Sequence, residues 1–304
     1  NLSRNNNINK MHQPPSVTLA TGGYDRQIRF WSPSDGSCRH HIMFPDSVCP
    51  TSDQHLSRRA RNLYLKLKTH THTQQINRLA ISPQKNVIAA AGNPCAKLFD
   101  IHASNPTFAC DSHPGNVTSV GFQRLGRWFY TGADDATVNI WDQRVKGARR
   151  TSQNDSPVND VVLHPNQAEI ISILRNGTIR IWDLAENKIR KTLGGGGKIS
   201  SLQTASIMGD GSLLVAADKS GMIHVWDAAH DYKYVHNFQA HKGYILKILF
   251  SPDLTYLATT SSDTTVKLWS TKDLKFKCVQ TLASHRKWVW DCSFSADSSY
   301  LLTS

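Results

Sequence analysis

Five stretches of the chain alternate apolar and polar residues and then reach a tryptophan. They are Ile28-Arg29-Phe30-Trp31, Val138-Asn139-Ile140-Trp141-Asp142, Ile179-Arg180-Ile181-Trp182-Asp183, Ile223-His224-Val225-Trp226-Asp227 and Val266-Lys267-Leu268-Trp269. A sixth copy, Ala96-Lys97-Leu98-Phe99-Asp100, carries Phe where the others carry Trp. Period-two alternation predicts strands with one buried and one polar face. From Phe99 to Trp141, Trp182, Trp226 and Trp269 the successive steps are 42, 41, 44 and 43 residues. Each step also holds further strand text: Ile245 to Phe250, a Ser251-Pro252-Asp253 turn, then Leu257 to Ser261 and a turn at Asp263 precede the Trp269 strand. A near-constant period of this length means one structural unit repeated, with neighbours burying each other's apolar faces.

A unit of this length with a recurring Trp-Asp resembles the WD40 repeat, a blade of four antiparallel strands. The resemblance covers almost the whole chain. It implies an all-β, seven-bladed WD40 β-propeller. It also implies a hydrogen-bonded set inside a blade: His113, Thr131, Asp135 and Trp141 in one, His241, Thr259, Asp263 and Trp269 in another. A buried indole N–H and a buried imidazole each need a partner, which gives such a set its physical reason. The last copy begins near His285, and the period would put its Trp-bearing strand at about position 311. The expectation is therefore a propeller cut short at its C-terminus, with about 25 of 28 strands and an incomplete ring closure. Residues 1–15 read as a disordered N-terminal extension, Asn-rich at its start, and 16–304 as the propeller.

One interval breaks the rhythm, because Trp31 and Phe99 lie 68 residues apart. The excess falls at 48–73, read as an inserted loop between blades or translated intron sequence; surface loops tolerate length because closure entropy grows slowly. This segment holds Arg58-Arg59-Ala60-Arg61 and the pair His70 and His72. A basic import signal or phosphate patch, and a metal site using His40 and His41 as well, compete with the plain loop. Gly194 to Gly197 before Lys198 fail the phosphate-loop pattern, since Thr192 and Ile199 stand at the wrong places. With 35 Lys and Arg against 23 Asp and Glu, the net charge is +12, which suits an acidic protein surface or nucleic acid, but no nucleic-acid motif accompanies it. Six scattered cysteines lack a C-x-x-C pair, so neither a disulfide framework nor a zinc site is expected. No apolar run is long enough to span a membrane as a helix.

Several blade texts narrow the resemblance. Gly23-Tyr24-Asp25-Arg26-Gln27-Ile28-Arg29-Phe30-Trp31, Ala89-Ala90-Ala91-Gly92-Asn93-Pro94, Ser156 to Glu169, and Arg286-Lys287-Trp288-Val289-Trp290-Asp291-Cys292-Ser293-Phe294-Ser295-Ala296-Asp297-Ser298 are the four that do so. Together they are similar to the WD-repeat subunits of target-of-rapamycin kinase complexes, the lethal-with-sec-thirteen or G-protein β-subunit-like family. That family implies a non-catalytic scaffold of the cytoplasm, without cofactor or metal, shared by both kinase complexes and docked on the C-terminal lobe of the kinase. No G-x-S-x-G or H-E-x-x-H pattern argues for an enzyme. In such propellers the residue before the turn Asp is expected on the rim where partners dock: Tyr24, Asp134 and Ser262, with Arg175 and Lys219 where Asn176 or Ser220 replaces the Asp. Trp288 and Trp290 flank Val289 and, as strand neighbours, should share the face opposite it; packing between blades seven and one is the competing place for them. Other classes of interaction module remain open: an adaptor presenting substrates to a ubiquitin ligase, or a ribosome-bound scaffold using basic patches on RNA.

Overall fold

The computed structural model describes residues 19–22, 25–32, 36–44, 75–93, 95–102, 105–110, 112–145, 147–194 and 199–304. The inserted segment 48–73, the N-terminal extension 1–15 and Tyr24 lie outside the described residues. Among those described there is no helix, and 25 strands form seven antiparallel sheets. The first has β1 (Leu19–Gly22), β2 (Gln27–Trp31) and β3 (Cys38–Met43). The second has β4 (Ile76–Ile81), β5 (Val87–Gly92), β6 (Ala96–Asp100) and β7 (Pro106–Cys110). The third has β8 (Val117–Phe122), β9 (Phe129–Ala133), β10 (Thr137–Trp141) and β11 (Arg150–Gln153). The fourth has β12 (Val158–Leu163), β13 (Glu169–Leu174), β14 (Thr178–Asp183) and β15 (Lys188–Gly194). The fifth has β16 (Leu202–Ile207), β17 (Leu213–Asp218), β18 (Met222–Asp227) and β19 (Lys233–Gln239). The sixth has β20 (Ile245–Phe250), β21 (Tyr256–Ser261), β22 (Val266–Ser270) and β23 (Cys278–Leu282). The last has β24 (Cys292–Phe294) and β25 (Leu301–Thr303).

The first strand of each sheet touches the first strand of the next, from β1 through β4, β8, β12, β16 and β20 to β24. This is the inner ring of a β-propeller. Apolar clusters fill the junctions between sheets. Ile28 and Phe30 pack with Ile76, Ile88 and Phe99; Leu98 with Val117, Phe129 and Trp141; Ile140 with Val161 and Ile170. Ile181 packs with Leu214 and Trp226, and Val225 with Ile248 and Trp269. β13 and β17 are buried along their whole length because both faces meet a neighbouring sheet. β15, by contrast, is rich in Lys and Arg and largely exposed, as suits an outer edge that must not pair with another chain.

The junctions are stitched as well as packed. β4, β8 and β12 each carry a bulge near their start, at Ile76/Arg78, Val117/Ser119 and Val158/Asp160. A bulge leaves one residue outside the ladder and re-aims its side chain. That residue reaches sideways each time: Asn77 Nδ2 donates to Val117 O (2.7 Å), Thr118 Oγ1 to Val158 O (2.7 Å), Asn159 Nδ2 to Leu202 O (2.6 Å). The same bulge recurs in β16 and β20, where Gln203 turns to Ser201 Oγ instead and Leu246 has no donor to offer.

Inside the third sheet, His113 Nδ1 lies 2.9 Å from Asp135 Oδ2 and its Nε2 lies 2.6 Å from Thr131 Oγ1, which also accepts from Trp141 Nε1 at 2.7 Å. The sixth sheet holds the same arrangement with His241, Asp263, Thr259 and Trp269, at 2.9, 2.7 and 3.0 Å. Partial versions fill the other sheets. Trp31 Nε1 donates to Thr21 Oγ1, and Trp182 Nε1 to Ser172 Oγ, which bonds Asn154 in place of a histidine. The fifth sheet has Ala216 where the hydroxyl would stand, and its buried carboxylate is Asp218, bonded by Ser200, Ser220 and the Met222 amide. In the last sheet His285 Nε2 is 2.9 Å from Thr303 Oγ1.

The turn at this place in the third to sixth sheets has one residue in the left-handed region: Ala136, Gly177, Gly221 and Thr264 have φ of 65°, 82°, 84° and 67°. At Gly221 the turn also presses on the next sheet, since an added Cβ would lie 2.2 Å from His241 O. Gly221→Ala should therefore destabilise the protein by about 1–3 kcal/mol, read from the urea midpoint.

Burial works against the Asp263 carboxylate, but the Thr265 hydroxyl and His241 outweigh it and hold its pKa at about 2. Burial pushes the His241 imidazole below its ordinary value, with Asp263 opposing. Both groups bind protons more readily in the unfolded chain, so each contributes stability that is lost on acidification. For His241 the loss begins below its unfolded value of about 6.5. For Asp263 it runs from about 4, its unfolded value, down through its folded value. Melting temperature should therefore fall in two stages below neutral pH, and His241→Gln should remove the upper stage when melts at pH 7.5 and 5.5 are compared.

Candidate protein-docking face

One end of the wheel carries a repeated backbone contact. The amides of Asp134, Arg175, Lys219 and Ser262 donate at 2.9 Å to the carbonyls of Asn116, Pro157, Ser201 and Tyr244. Each of these acceptors precedes a first strand, so the four side chains stand at equivalent places on one rim. The neighbouring turn carboxylates, Asp135 and Asp263, are held by their histidines, which keeps the rim residues beside them from moving independently.

Equivalent placement does not mean equal availability. Arg175 is half-exposed, but its guanidinium reaches the next sheet and pairs with Asp134 Oδ1 at 2.6 Å. Asp134 Oδ2 also accepts from Asn116 Nδ2 at 3.3 Å, Asn116 Oδ1 from Asn77 Nδ2 at 2.6 Å, and Asn77 Oδ1 from Gln75 Nε2 at 2.7 Å. This relay crosses three sheets and spends the polarity of Asp134 and Arg175 on the wheel itself. Lys219 is exposed and has no carboxylate in salt-bridge range among the described residues. No group of His, Cys, Asp and Glu among them is placed to hold a metal ion. His40, one of the candidate ligands, bonds Ile101 O at 2.8 Å and stacks on Phe30.

The apolar part of the rim lies where the sixth sheet meets the last. Val289 is fully buried, its amide 3.2 Å from Ser261 O, while Trp288 and Trp290 on either side are 46% and 49% exposed. The expected strand over Val289 to Phe294 is shorter: β24 begins only at Cys292, and the tryptophans stand on irregular chain before it. Their common exposure thus rests on the anchoring of Val289 and on the Trp290 amide donating to Ser304 O (2.7 Å), not on a pleat. The Trp288 ring lies 5.5 Å from Trp290 and 6.4 Å from the half-exposed Tyr244. Ser262, Thr264, Arg286 and Lys287 complete a cleft of about 480 Å3 with the two tryptophans. Tyr244, Thr264, Arg286 and Lys287 were not legible as site residues from single-strand patterns; the available signal is their place beside repeat landmarks, Tyr244 three residues after His241, Thr264 directly after Asp263, and Arg286 and Lys287 directly after His285.

Comparison with known proteins agrees on architecture and lineage. The family described as WD domain, G-beta repeat matches residues 232–270 and 276–304. A propeller family described as Nucleolar protein 10-like, N-terminal domain matches 62–238. Among whole proteins, the chain is 39% identical to "Target of rapamycin complex subunit wat1" of Schizosaccharomyces pombe, covering 86% of this chain and 78% of that one. It is 42% identical to "Target of rapamycin complex subunit LST8" of Saccharomyces cerevisiae, over 89% and 82%. It is 39% identical to "Non-functional target of rapamycin complex subunit LST8-2" of Arabidopsis thaliana, over 95% and 86%. With its repeating sheets, its Trp-bearing third strands and this likeness along most of its length, the chain belongs to the LST8 family of WD-repeat proteins.

Proposed function

We propose that this protein is a non-catalytic subunit of target of rapamycin complexes in the cytoplasm, and that it holds the kinase through the rim described above. The observation that carries the proposal is the exposed Tyr244–Trp288–Trp290 cluster beside Arg286 and Lys287, on a chain whose relatives are named subunits of that complex. Paired aromatic side chains at the centre of an interface typically supply most of its binding energy. The adjoining cations favour an acidic partner surface and raise the rate of encounter. The wheel counts seven wedges in this proposal, the three-stranded sheet being the first and the two-stranded sheet the last. It works without cofactor, as a rigid support for the kinase and the other subunits.

One relative is itself named non-functional although it is 39% identical. Likeness in sequence is therefore not sufficient support, and the proposal must be tested at the face. Trp288→Ala or Trp290→Ala should weaken capture of the kinase by about 2 kcal/mol, roughly 30-fold. Lys219→Glu, which touches no ion pair, should weaken it less and leave the melting temperature unchanged. Arg175→Glu should lower stability by about 0.2–1 kcal/mol, because it places two carboxylates together at Asp134. Full capture by both tryptophan variants in a co-purification would refute the assignment of this face.

A further inference from the structure

Each sheet from the second to the last joins its first two strands by a turn of one build, at the end of those strands away from the docking rim. The six turns span 82–87, 123–128, 164–169, 208–213, 251–256 and 295–300. In every one the first amide donates to the sixth carbonyl and the fourth amide to the first carbonyl. The fourth residue is left-handed each time, from Lys85 (φ 58°) and Gly126 (φ 66°) to Leu254 (φ 62°) and Ser298 (φ 60°). Equal build makes the third residues comparable: Gln84, Leu125, Asn166, Asp210, Asp253 and Asp297. In the last four a side-chain oxygen accepts from the amide two places on, at 2.9 to 3.2 Å, which caps the turn.

The third sheet departs from this pattern. Leucine at the third place cannot cap, and the buried Gln123 takes over: its Oε1 accepts from the Leu125 amide at 2.9 Å and the Arg127 amide at 3.3 Å. The Leu125 side chain is left 56% exposed and joins none of the apolar clusters. Neighbouring turns hold this one from both sides, since Gln84 Nε2 donates to Leu125 O (2.6 Å) and the Arg124 amide to Gln167 Oε1 (3.0 Å). Arg124, Leu125 and Arg127 are thus presented on a fixed turn, with Lys85 on the adjoining turn and the exposed Ile81 at the end of β4. Lys85, Arg124 and Arg127 are all exposed, and none has a carboxylate in salt-bridge range among the described residues. At the same end of the third sheet, Arg144 and Arg149 share one carboxylate, Asp142, at 2.7 and 3.2 Å.

We propose that Ile81, Lys85, Arg124, Leu125 and Arg127 form a second docking surface, and that its occupant is an acidic protein segment carrying an apolar side chain, from a subunit other than the kinase. Three exposed, unpaired cations close in space repel one another, and an acidic segment relieves that repulsion and is steered toward them. Leu125 and Ile81 give it an apolar contact that neither the fold nor the turn uses. An anionic lipid surface fits less well. Laid against this end of the wheel, it would also meet Asp210, Asp253 and Asp297 on the equivalent turns, which it would repel. A second copy of the chain fits less well because those carboxylates are committed to their own turns, Asp253 also to the Thr255 hydroxyl (2.7 Å) and Asp297 to that of Ser295 (2.6 Å). The surface lies at the far end of the strands from Trp288 and Trp290, so both faces can be occupied together. This inference rests on the reading that the protein works within a multi-subunit complex, and not on which residues hold the kinase.

The test uses the complex purified through the full chain and treated with a carbodiimide, which joins an amine to a carboxylate in direct contact. Lys85, and the amines introduced by Arg124→Lys and Arg127→Lys, should couple to Asp or Glu of a subunit other than the kinase. Arg124→Glu combined with Arg127→Glu should lower recovery of that subunit about tenfold, and Leu125→Asp should do the same. Both changes fall on exposed side chains, so melting temperature and kinase recovery should stay as they are. Coupling to the kinase alone, to another copy of the chain in mixed isotope-labelled preparations, or to nothing would overturn the proposal. So would undiminished recovery of every subunit by both variants, with the isolated chain binding phosphatidylserine vesicles through Arg124 instead. Full kinase capture by Trp288→Ala and Trp290→Ala would refute the rim separately, and coupling at Lys85 would still decide whether this surface exists.

Discussion

The middle strands of this protein are apolar on both faces, and a lone sheet of four short strands can cover neither. Each sheet therefore needs a neighbour on both sides, and the apolar clusters lie between sheets, not within them. Arranging sheets around an axis meets that need with one repeated junction. The polar bonds of the structure follow from the same demand. Where two first strands approach, a bulge turns one side chain toward the neighbour's carbonyl, as Asn77, Thr118 and Asn159 do. Where a tryptophan is buried against the next sheet, its N–H finds Thr131, Ser172 or Thr259.

On the proposed function, this construction leaves partner binding to the rim. A wheel whose turns and inner strands are hydrogen-bonded to their neighbours in repeat after repeat has few degrees of freedom there. The rim can then hold aromatic side chains half-exposed without their collapsing inward. Val289 shows how: a fully buried side chain fixes the backbone so that Trp288 and Trp290 cannot follow it into the core. The relay from Gln75 to Arg175 is the opposite use of the same face, with polar groups committed to holding three sheets together.

Much of the fold was legible because repetition averages out local ambiguity. One Trp-ended alternating stretch means little, but several at steps of 41 to 44 residues set the unit, its strands and its turns. Residues of the buried set could be named for the same reason, since His113 and His241 stand equally far before their tryptophans. The site was less legible. Spacing put Asp134 and Arg175 on the rim but carried no sign that they face each other, because their pairing crosses a sheet boundary and 41 residues of chain. The exposure of Trp288 and Trp290 was argued from strand alternation, yet they precede the strand. Tyr24 falls outside the described residues and leaves the rim position of the first sheet undescribed.

Period and alternation determined the length of the repeating unit and its strands, and the resemblance carried by the recurring Trp-Asp supplied the propeller and the buried hydrogen-bonded set. These are local or nearest-neighbour properties, written within one repeat and copied. Tertiary structure alone decided which rim charges are already paired, that Tyr244 joins the two tryptophans, and that Arg78 pairs with Asp160 two sheets away. Those facts depend on distances across the axis and between wedges. A sequence period says where each wedge begins, but not which side chains meet when the wedges are brought round to one centre.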